Sequence, residues 1–345
     1  MPKVTIDDIA RQAGVSKTSV SFAFNNPDRL SATTLNHILK VAEELGYNPD
    51  PLASSLKTGR TGCIGLLVPQ PIPFVARNPH MFELIEGVGE RCHDAGFSLM
   101  LVPPLRGNLY RAIVRAAVDG LLTIGLEPFR ETITVLRQRG VPFVMIDSEP
   151  TPGIPCVNID DEAGAYEAMR YVLDRGHQRI AILGILTEHS GKYRDYTGLL
   201  RRRIGGYLRA LNETGLAIDG DRVRLVECKA VPEDGYQAFR RFWRSAWQPT
   251  AMVAMGDVLA VGALQAAHEL GVCVPEEVSI IGYDDIAFSA MTTPPLTTIR
   301  QPTIEKGQVA ARLLIDLIEG RKPEAENIVL PVELIERQSF RALNQ

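Results

Sequence analysis

The stretch from Thr5 to Ser21, TIDDIARQAGVSKTSVS, constrains this chain most, because it spells two short helices about a glycine turn. Thr5 followed three places later by Asp8 suits a helix start: the hydroxyl accepts an orphan backbone N–H and the carboxylate favours the positive helix end. Ile6, Ile9, Ala10 and Ala13 then recur on one face. Gly14 ends the helix, since the left-handed conformation a helix stop adopts costs glycine nothing. Ser16 caps a second helix, in which Val15, Val20 and Ala23 or Phe24 pack inward and Lys17, Thr18, Ser21 and Phe22 stay exposed near the N-terminal end. A generic capped helix pair shares these features. In a helix-turn-helix the same exposed positions meet base edges in the major groove.

The next residues favour that second reading. Ser31 caps a third helix whose apolar residues Leu35, Ile38, Leu39, Ala42 and Leu45 recur at helical spacing until Gly46 stops it, so three helices can close a small core. Tyr47 to Thr61, YNPDPLASSLKTGRT, lies between a proline start and a glycine end and is too short for helicity unless something orders it.

On the Val4-Thr5-Ile6 start, the Leu45-Gly46-Tyr47-Asn48-Pro49 turn and the Lys57-Thr58-Gly59-Arg60-Thr61 linker, the chain resembles the lactose and galactose repressor family of bacterial transcription regulators. The resemblance implies that the linker becomes a hinge helix on double-stranded operator DNA and that Leu56 wedges into the minor groove, an apolar kinking strategy. It implies DNA contacts from Thr5, Ser16, Lys17, Thr18, Ser19, Ser21, Phe22, Asn25 and Arg29 in the head, and from Tyr47, Asp50, Ala53 and Leu56 in the linker. Two positions depart from the family. Phe22 stands where many members place an arginine that reads a guanine, and a phenyl ring cannot donate to guanine O6 or N7. Asp50 replaces a common asparagine and sets a carboxylate near phosphates.

Charge supports a few placed contacts over bulk attraction. Residues 1–61 carry seven Lys/Arg and six Asp/Glu, which leaves the rest of the chain at about −5 of the total −4. The expected phosphate partners are Lys3, Lys17, Arg29, Lys57 and Arg60. Five cysteines at 63, 92, 156, 228 and 273 have no Cys-x-x-Cys spacing and the six histidines form no ligand pattern, so no disulfide framework, metal or cofactor is expected. With no apolar leader and no membrane-length run, the expected location is the cytoplasm, without membrane association.

From Gly62 onward, apolar runs near 64–68, 97–102, 120–123 and 141–146 alternate with amphipathic stretches, and a second series of strands begins near Arg179, Arg222, Ala251 and Val278. This alternation predicts α/β structure with parallel sheets covered on both faces. The expected class is an all-α helix-turn-helix head plus an α/β body. For the body the resemblance implies the periplasmic-binding-protein-like type I fold, two doubly wound parallel-sheet lobes joined by three crossings. The expected boundaries are a head at 1–46, a hinge at 47–61, an N-terminal lobe at 62–160 and 291–327, and a C-terminal lobe at 161–290 and 328–345.

In such a fold a ligand lies between the lobes, beyond the carboxyl ends of the strands. The candidate effector-binding residues are therefore Gln70 and Phe74 after the opening strand, Asp147 and Asp284 at strand ends, and Asp257 in Met255-Gly256-Asp257, each aspartate also readable as a cap or brace. Gly256 replaces a family asparagine. Arg203 joins the set through Arg203-Ile204-Gly205-Gly206-Tyr207, which resembles the family's arginine-x-x-glycine-aromatic motif. A catalytic body is the competing class, yet no Gly-x-Gly-x-x-Gly follows an early strand of either lobe and no Gly-x-Ser-x-Gly elbow occurs. The expectation is a non-enzymatic DNA-binding repressor, controlled by a small effector of sugar type. The alternative is a sugar-binding or Rossmann-like enzyme body fused to a helix-turn-helix. Without a leucine-heptad tail after the last strand, near 332–336, the expected assembly is a homodimer on a pseudo-palindromic operator.

Overall fold

The computed structural model describes residues 4–48, 59–125, 130–186, 193–323 and 325–343, and the chain divides into two units between Thr61 and Gly62. In the first unit, helices α1 (Ile6–Ala13), α2 (Lys17–Asn25) and α3 (Ala32–Glu44) close on Ile9, Ala10, Ala13, Val20, Ala23, Ile38, Val41 and Ala42. The Asp8 carboxylate accepts from the Thr5 N–H at 3.0 Å and hydroxyl at 2.7 Å, so the hydroxyl donates to Asp8. These bonds hold the Asp8 carboxyl below its ordinary pKa. Gly14 takes φ +66° and lets the Val15 N–H return to the Ala10 carbonyl at 3.1 Å. Ser16 and Ser31 cap α2 and α3 by accepting from the Ser19 and Thr34 amides at 3.0 and 3.2 Å. Leu39, expected inside, is 40% exposed; the buried stripe runs through Ile38, Val41 and Ala42, which leaves Leu39 on the flank.

The second unit contains two six-stranded sheets. The first lobe holds β1 (Cys63–Leu67), β2 (Ser98–Val102), β3 (Gly120–Ile124), β4 (Phe143–Ile146), β5 (Cys156–Ile159) and β11 (Asn327–Leu330), in the order β11-β5-β4-β3-β1-β2 with every pairing parallel. The second holds β6 (Ile180–Ile185), β7 (Val223–Cys228), β8 (Ala251–Ala254), β9 (Ser279–Asp284), β10 (Thr297–Arg300) and β12 (Glu333–Ile335), in the order β12-β10-β9-β8-β6-β7. There only β12 is antiparallel to its neighbour. β3 and β4 are buried at every position, as strands covered on both faces must be.

The helices cover these sheets. In the first lobe α4 (Pro79–Asp94) packs on α11 (Thr303–Ile318), with α5 (Leu109–Arg115) and α6 (Arg130–Arg139) paired elsewhere. In the second, α7 (Asp161–Asp174) packs on α8 (Gly198–Glu213) and α9 (Pro232–Trp243) on α10 (Asp257–Glu269). The chain passes between lobes after Ile159, between Arg300 and Thr303, and between Leu330 and Glu333. The first crossing follows β5 directly. The other two correct the expected boundaries at 290 and 327: β10 still belongs to the second sheet, and β11 is a complete strand of the first. Both strands are only four residues long, and β10 is polar as well. Thr297-Thr298-Ile299-Arg300 has no apolar run, because its threonine hydroxyls are buried against partners, with Thr298 donating to Asp257 at 2.6 Å.

Candidate functional site

Successive strand ends carry the polar residues of the candidate site. Where β4 stops, Asp147 takes φ +53°; where β9 stops, Asp284 and Asp285 take φ +127° and +57°. Such backbone is uncommon for residues with a Cβ and persists only where surrounding contacts enforce it. Those contacts are polar. Lys306, fully buried on α11, donates to both Asp147 oxygens at 2.9 and 2.7 Å and to the Gln301 carbonyl oxygen at 3.1 Å. Gln301, on the second crossing, donates from Nε2 to Asp284 Oδ1 at 2.5 Å. Arg203 Nη1 lies 3.7 Å from the same oxygen and donates to the Met255 carbonyl at 2.6 Å, while its Nε donates to Asp161 at 2.9 Å. Its guanidinium sits 3.8 Å from the Tyr283 ring centroid.

Burial controls protonation here. It pushes the Asp284 carboxyl up to about 8, although Arg203 pulls the other way. Burial also opposes charge on Arg203, but Asp161, Tyr283 and Asp284 more than offset it and raise its pKa. His80 bonds Thr303 Oγ1 at 3.2 Å; burial, then the charges of Lys306 and Arg203, depress its pKa well below the usual histidine range.

This geometry divides the sequence-derived candidates. Arg203 and Asp284 come together at the strand ends of the second lobe. Asp284 Oδ2 has no hydrogen-bond partner among the described residues, and a Cβ built on Gly256 would stand 3.4 Å from it, so the missing side chain leaves space beside that oxygen. Asp147 is corrected from a free acceptor to one arm of a buried ion pair. Asp257 is corrected to a brace within the second lobe: its carboxylate accepts from the Ile286 N–H at 3.1 Å, Ser289 Oγ at 2.6 Å and Thr298 Oγ1 at 2.6 Å, which leaves it fully buried and satisfied. Burial raises its pKa to about 6. Gln70 and the 51% exposed Phe74 follow β1 and take no part in the polar chain among the described residues.

Sequence reasoning missed Lys306, Gln301, Asp161, Arg202 and His80. A signal for Lys306 existed: Thr303, Lys306, Ala310 and Leu314 follow one another at helical spacing, and all are buried.

In the head, Thr5, Ser16, Lys17, Thr18 and Arg29 are exposed, and Ser19, Ser21, Phe22 and Tyr47 are half-buried. Lys17 makes an exposed ion pair with Asp7 at 2.6 Å, the kind of contact worth about 0–1 kcal/mol. Arg29 lies 5.3 Å from the Phe22 ring centroid, and Tyr47 packs on Phe24 at 5.4 Å. Phe22 is thus partly covered where exposure was expected. The Asn25 side chain and residues Asp50, Ala53 and Leu56 lie outside what the structure describes.

Comparison with known proteins agrees with both units. A family model of bacterial regulatory proteins, lacI family, matches residues 5–50, and one of a periplasmic binding protein-like domain matches residues 169–340. The HTH-type transcriptional repressor PurR of Pasteurella multocida is 34% identical over 348 residues, spanning 98% of this chain and 99% of that protein. The structure of the lac repressor dimer bound to operator and the anti-inducer ONPF superposes with a TM-score of 0.81 at 26% identity, covering 99% of this chain and 100% of that one. The transcriptional regulator CelR–cellobiose complex gives 0.68 at 28%, covering 98% and 100%.

Proposed function

The chain belongs to the lacI family of bacterial regulatory proteins, and from that premise we propose that it represses transcription from an operator under the control of a small effector held at Asp284 and Arg203. It is a DNA-binding transcriptional regulator and not an enzyme.

The observation that supports the effector site is the state of Asp284. One oxygen is held by Gln301, the other faces the space left by Gly256, and burial keeps the group protonated near neutral pH. A protonated carboxyl offers a donor and an acceptor side by side. Arg203 adds a rigid donor fork. The matching ligand edge is a neutral donor–acceptor pair, as on a purine base, and we favour that class because the full-length relatives are PurR repressors. A sugar, the expectation from the sequence, presents vicinal hydroxyls to the same pair and is the second reading, supported by the cellobiose complex of CelR.

Repression then follows from symmetry and linkage. Two heads on a homodimer in the cytoplasm read a pseudo-palindromic site through α2, with the linker as hinge and Leu56 as wedge. Effector binding alters the lobe arrangement and so the order of the linkers. The effector must therefore change operator affinity by the same factor as operator changes effector affinity. The test is selection of genomic fragments on the full-length protein, followed by a thermal-shift screen of adenine, guanine, ribose and cellobiose. A selected palindrome and a shift by at least one compound are expected; fragments recovered without sequence preference would end the repressor reading.

A further inference from the structure

The contacts around Asp147 extend beyond its buried pair. Asp147 is joined to Lys306, Lys306 to Gln301, Gln301 to Asp284, and Asp284 faces Arg203. Arg203 continues to Asp161 at 2.9 Å, and the second Asp161 oxygen accepts from Arg202 at 3.0 Å. Arg202 then reaches Glu149 at 3.2 Å, two residues beyond Asp147 on the segment that leaves β4. Eight side chains therefore form a circuit that starts and ends on one loop of the first lobe. It crosses the lobe boundary twice, once through Gln301 on the second crossing and once through Arg202 and Glu149.

Lys306 is the member of this circuit with no solvent access at all, and Asp161 is 1% exposed. A buried ammonium must have its donors satisfied, and here Asp147 and Gln301 accept from it. Gln301 is consequently held from both ends: its carbonyl oxygen by Lys306 in the first lobe and its amide by Asp284 in the second. A shift of Asp284 pulls the Gln301 amide and, through the carbonyl oxygen of the same planar group, reaches Lys306 and the loop after β4. On the second-lobe side the backbone is tied in as well, since the Gln301 N–H bonds the Asp284 carbonyl at 3.1 Å.

We propose that Lys306 is a positioning residue for the effector response: by clamping Asp147 and Gln301 it fixes Asp284 toward the cleft and carries effector occupancy there into the first lobe. The idea rests on the effector site proposed above. Lys306 itself need not touch the ligand, and Asp147 serves as its anchor. Shared polar networks of this kind make energetic coupling between their members, which spatial order alone does not establish.

The test removes the clamp without stranding a charge, using the pair Asp147→Asn/Lys306→Met in the full-length protein. Hydrogen exchange, which needs no effector, is read first. Substitutions confined to the first lobe are expected to speed exchange at least tenfold at the amides of Tyr283 to Ala287 in the second lobe. Faster exchange restricted to β4 and α11 would mean a local structural role and overturn the proposal. Operator affinity is then measured with and without saturating adenine, guanine, ribose or cellobiose. For a compound that shifts wild-type unfolding, the ratio of the two affinities should fall at least tenfold toward one in the variant. A ratio unchanged while the unfolding midpoint drops would again overturn it. If none of the four compounds shifts the wild type, the proposed ligand classes fail, and the exchange measurement alone decides the role of Lys306.

Discussion

Single side chains set the stability of both units, and three substitutions test how. Gly14 holds φ +66° at the end of α1, a conformation that costs a residue with a Cβ about 1–2 kcal/mol. Gly14→Ala should therefore lower head stability by about that amount, read as a lower unfolding midpoint of residues 1–61 by exchange in the full-length protein. Phe22 is half-buried under Arg29 and offers no donor to guanine. Phe22→Arg is expected to change the selected half-site toward guanine at one position; an unaltered selected site would remove Phe22 from the reading surface. Lys306→Met alone leaves the Asp147 carboxylate buried without its cation, a change that costs about 3–5 kcal/mol. The paired Asp147→Asn/Lys306→Met protein should recover most of that in urea unfolding, and a double variant as unstable as the single would argue against the pair.

At the scale of elements, helix contacts position the strand ends from which the site is built. α4 and α11, far apart in sequence, pack so closely that a Cβ on Gly87 would overlap the Ile304 carbonyl, and one on Gly307 would come within 2.5 Å of the Leu84 carbonyl. Gly87→Val should push α11 away and cost at least the roughly 1–3 kcal/mol typical of overpacking, with Lys306 displaced and the lobe less stable to urea. Legibility in the sequence followed the strength of the local signal. The head was readable because Thr5, Ser16 and Ser31 stand at the three helix starts and Gly14 and Gly46 stop α1 and α3. The apolar strands β1, β3 and β4 were readable because burial on both faces demands continuous hydrophobic runs. β10 was not, since its buried faces carry Thr297 and Thr298, whose hydroxyls are satisfied only by residues distant in sequence. The site was half readable for the same reason. A strand-end aspartate is visible in a sequence, but whether one of its oxygens is left facing open space, as at Asp284, or both are taken by internal donors, as at Asp257, depends on partners distant in sequence.

At the scale of the whole molecule, the effector site proposed at Asp284 ties stability and DNA affinity to the same buried group. Asp284 is pushed up to about 8 by burial, while an unfolded aspartate titrates near about 3.9. The folded form therefore holds the proton more tightly, so this contribution is present below about pH 4 and is lost as pH rises toward 8. Asp284→Asn should accordingly flatten the fall in unfolding midpoint between pH 5 and pH 8, and an unchanged slope would place the titration elsewhere. The central claim, that a ligand at Asp284 and Arg203 governs operator affinity, is tested most directly by fluorescence anisotropy on the selected operator, titrated with and without each of adenine, guanine, ribose and cellobiose. The account predicts that at least one of them changes operator affinity at least fivefold in the wild type and that Asp284→Ala, which removes both the donor and the acceptor, abolishes the change. Operator affinity indifferent to every compound, or a response that survives loss of the Asp284 carboxyl, would contradict it.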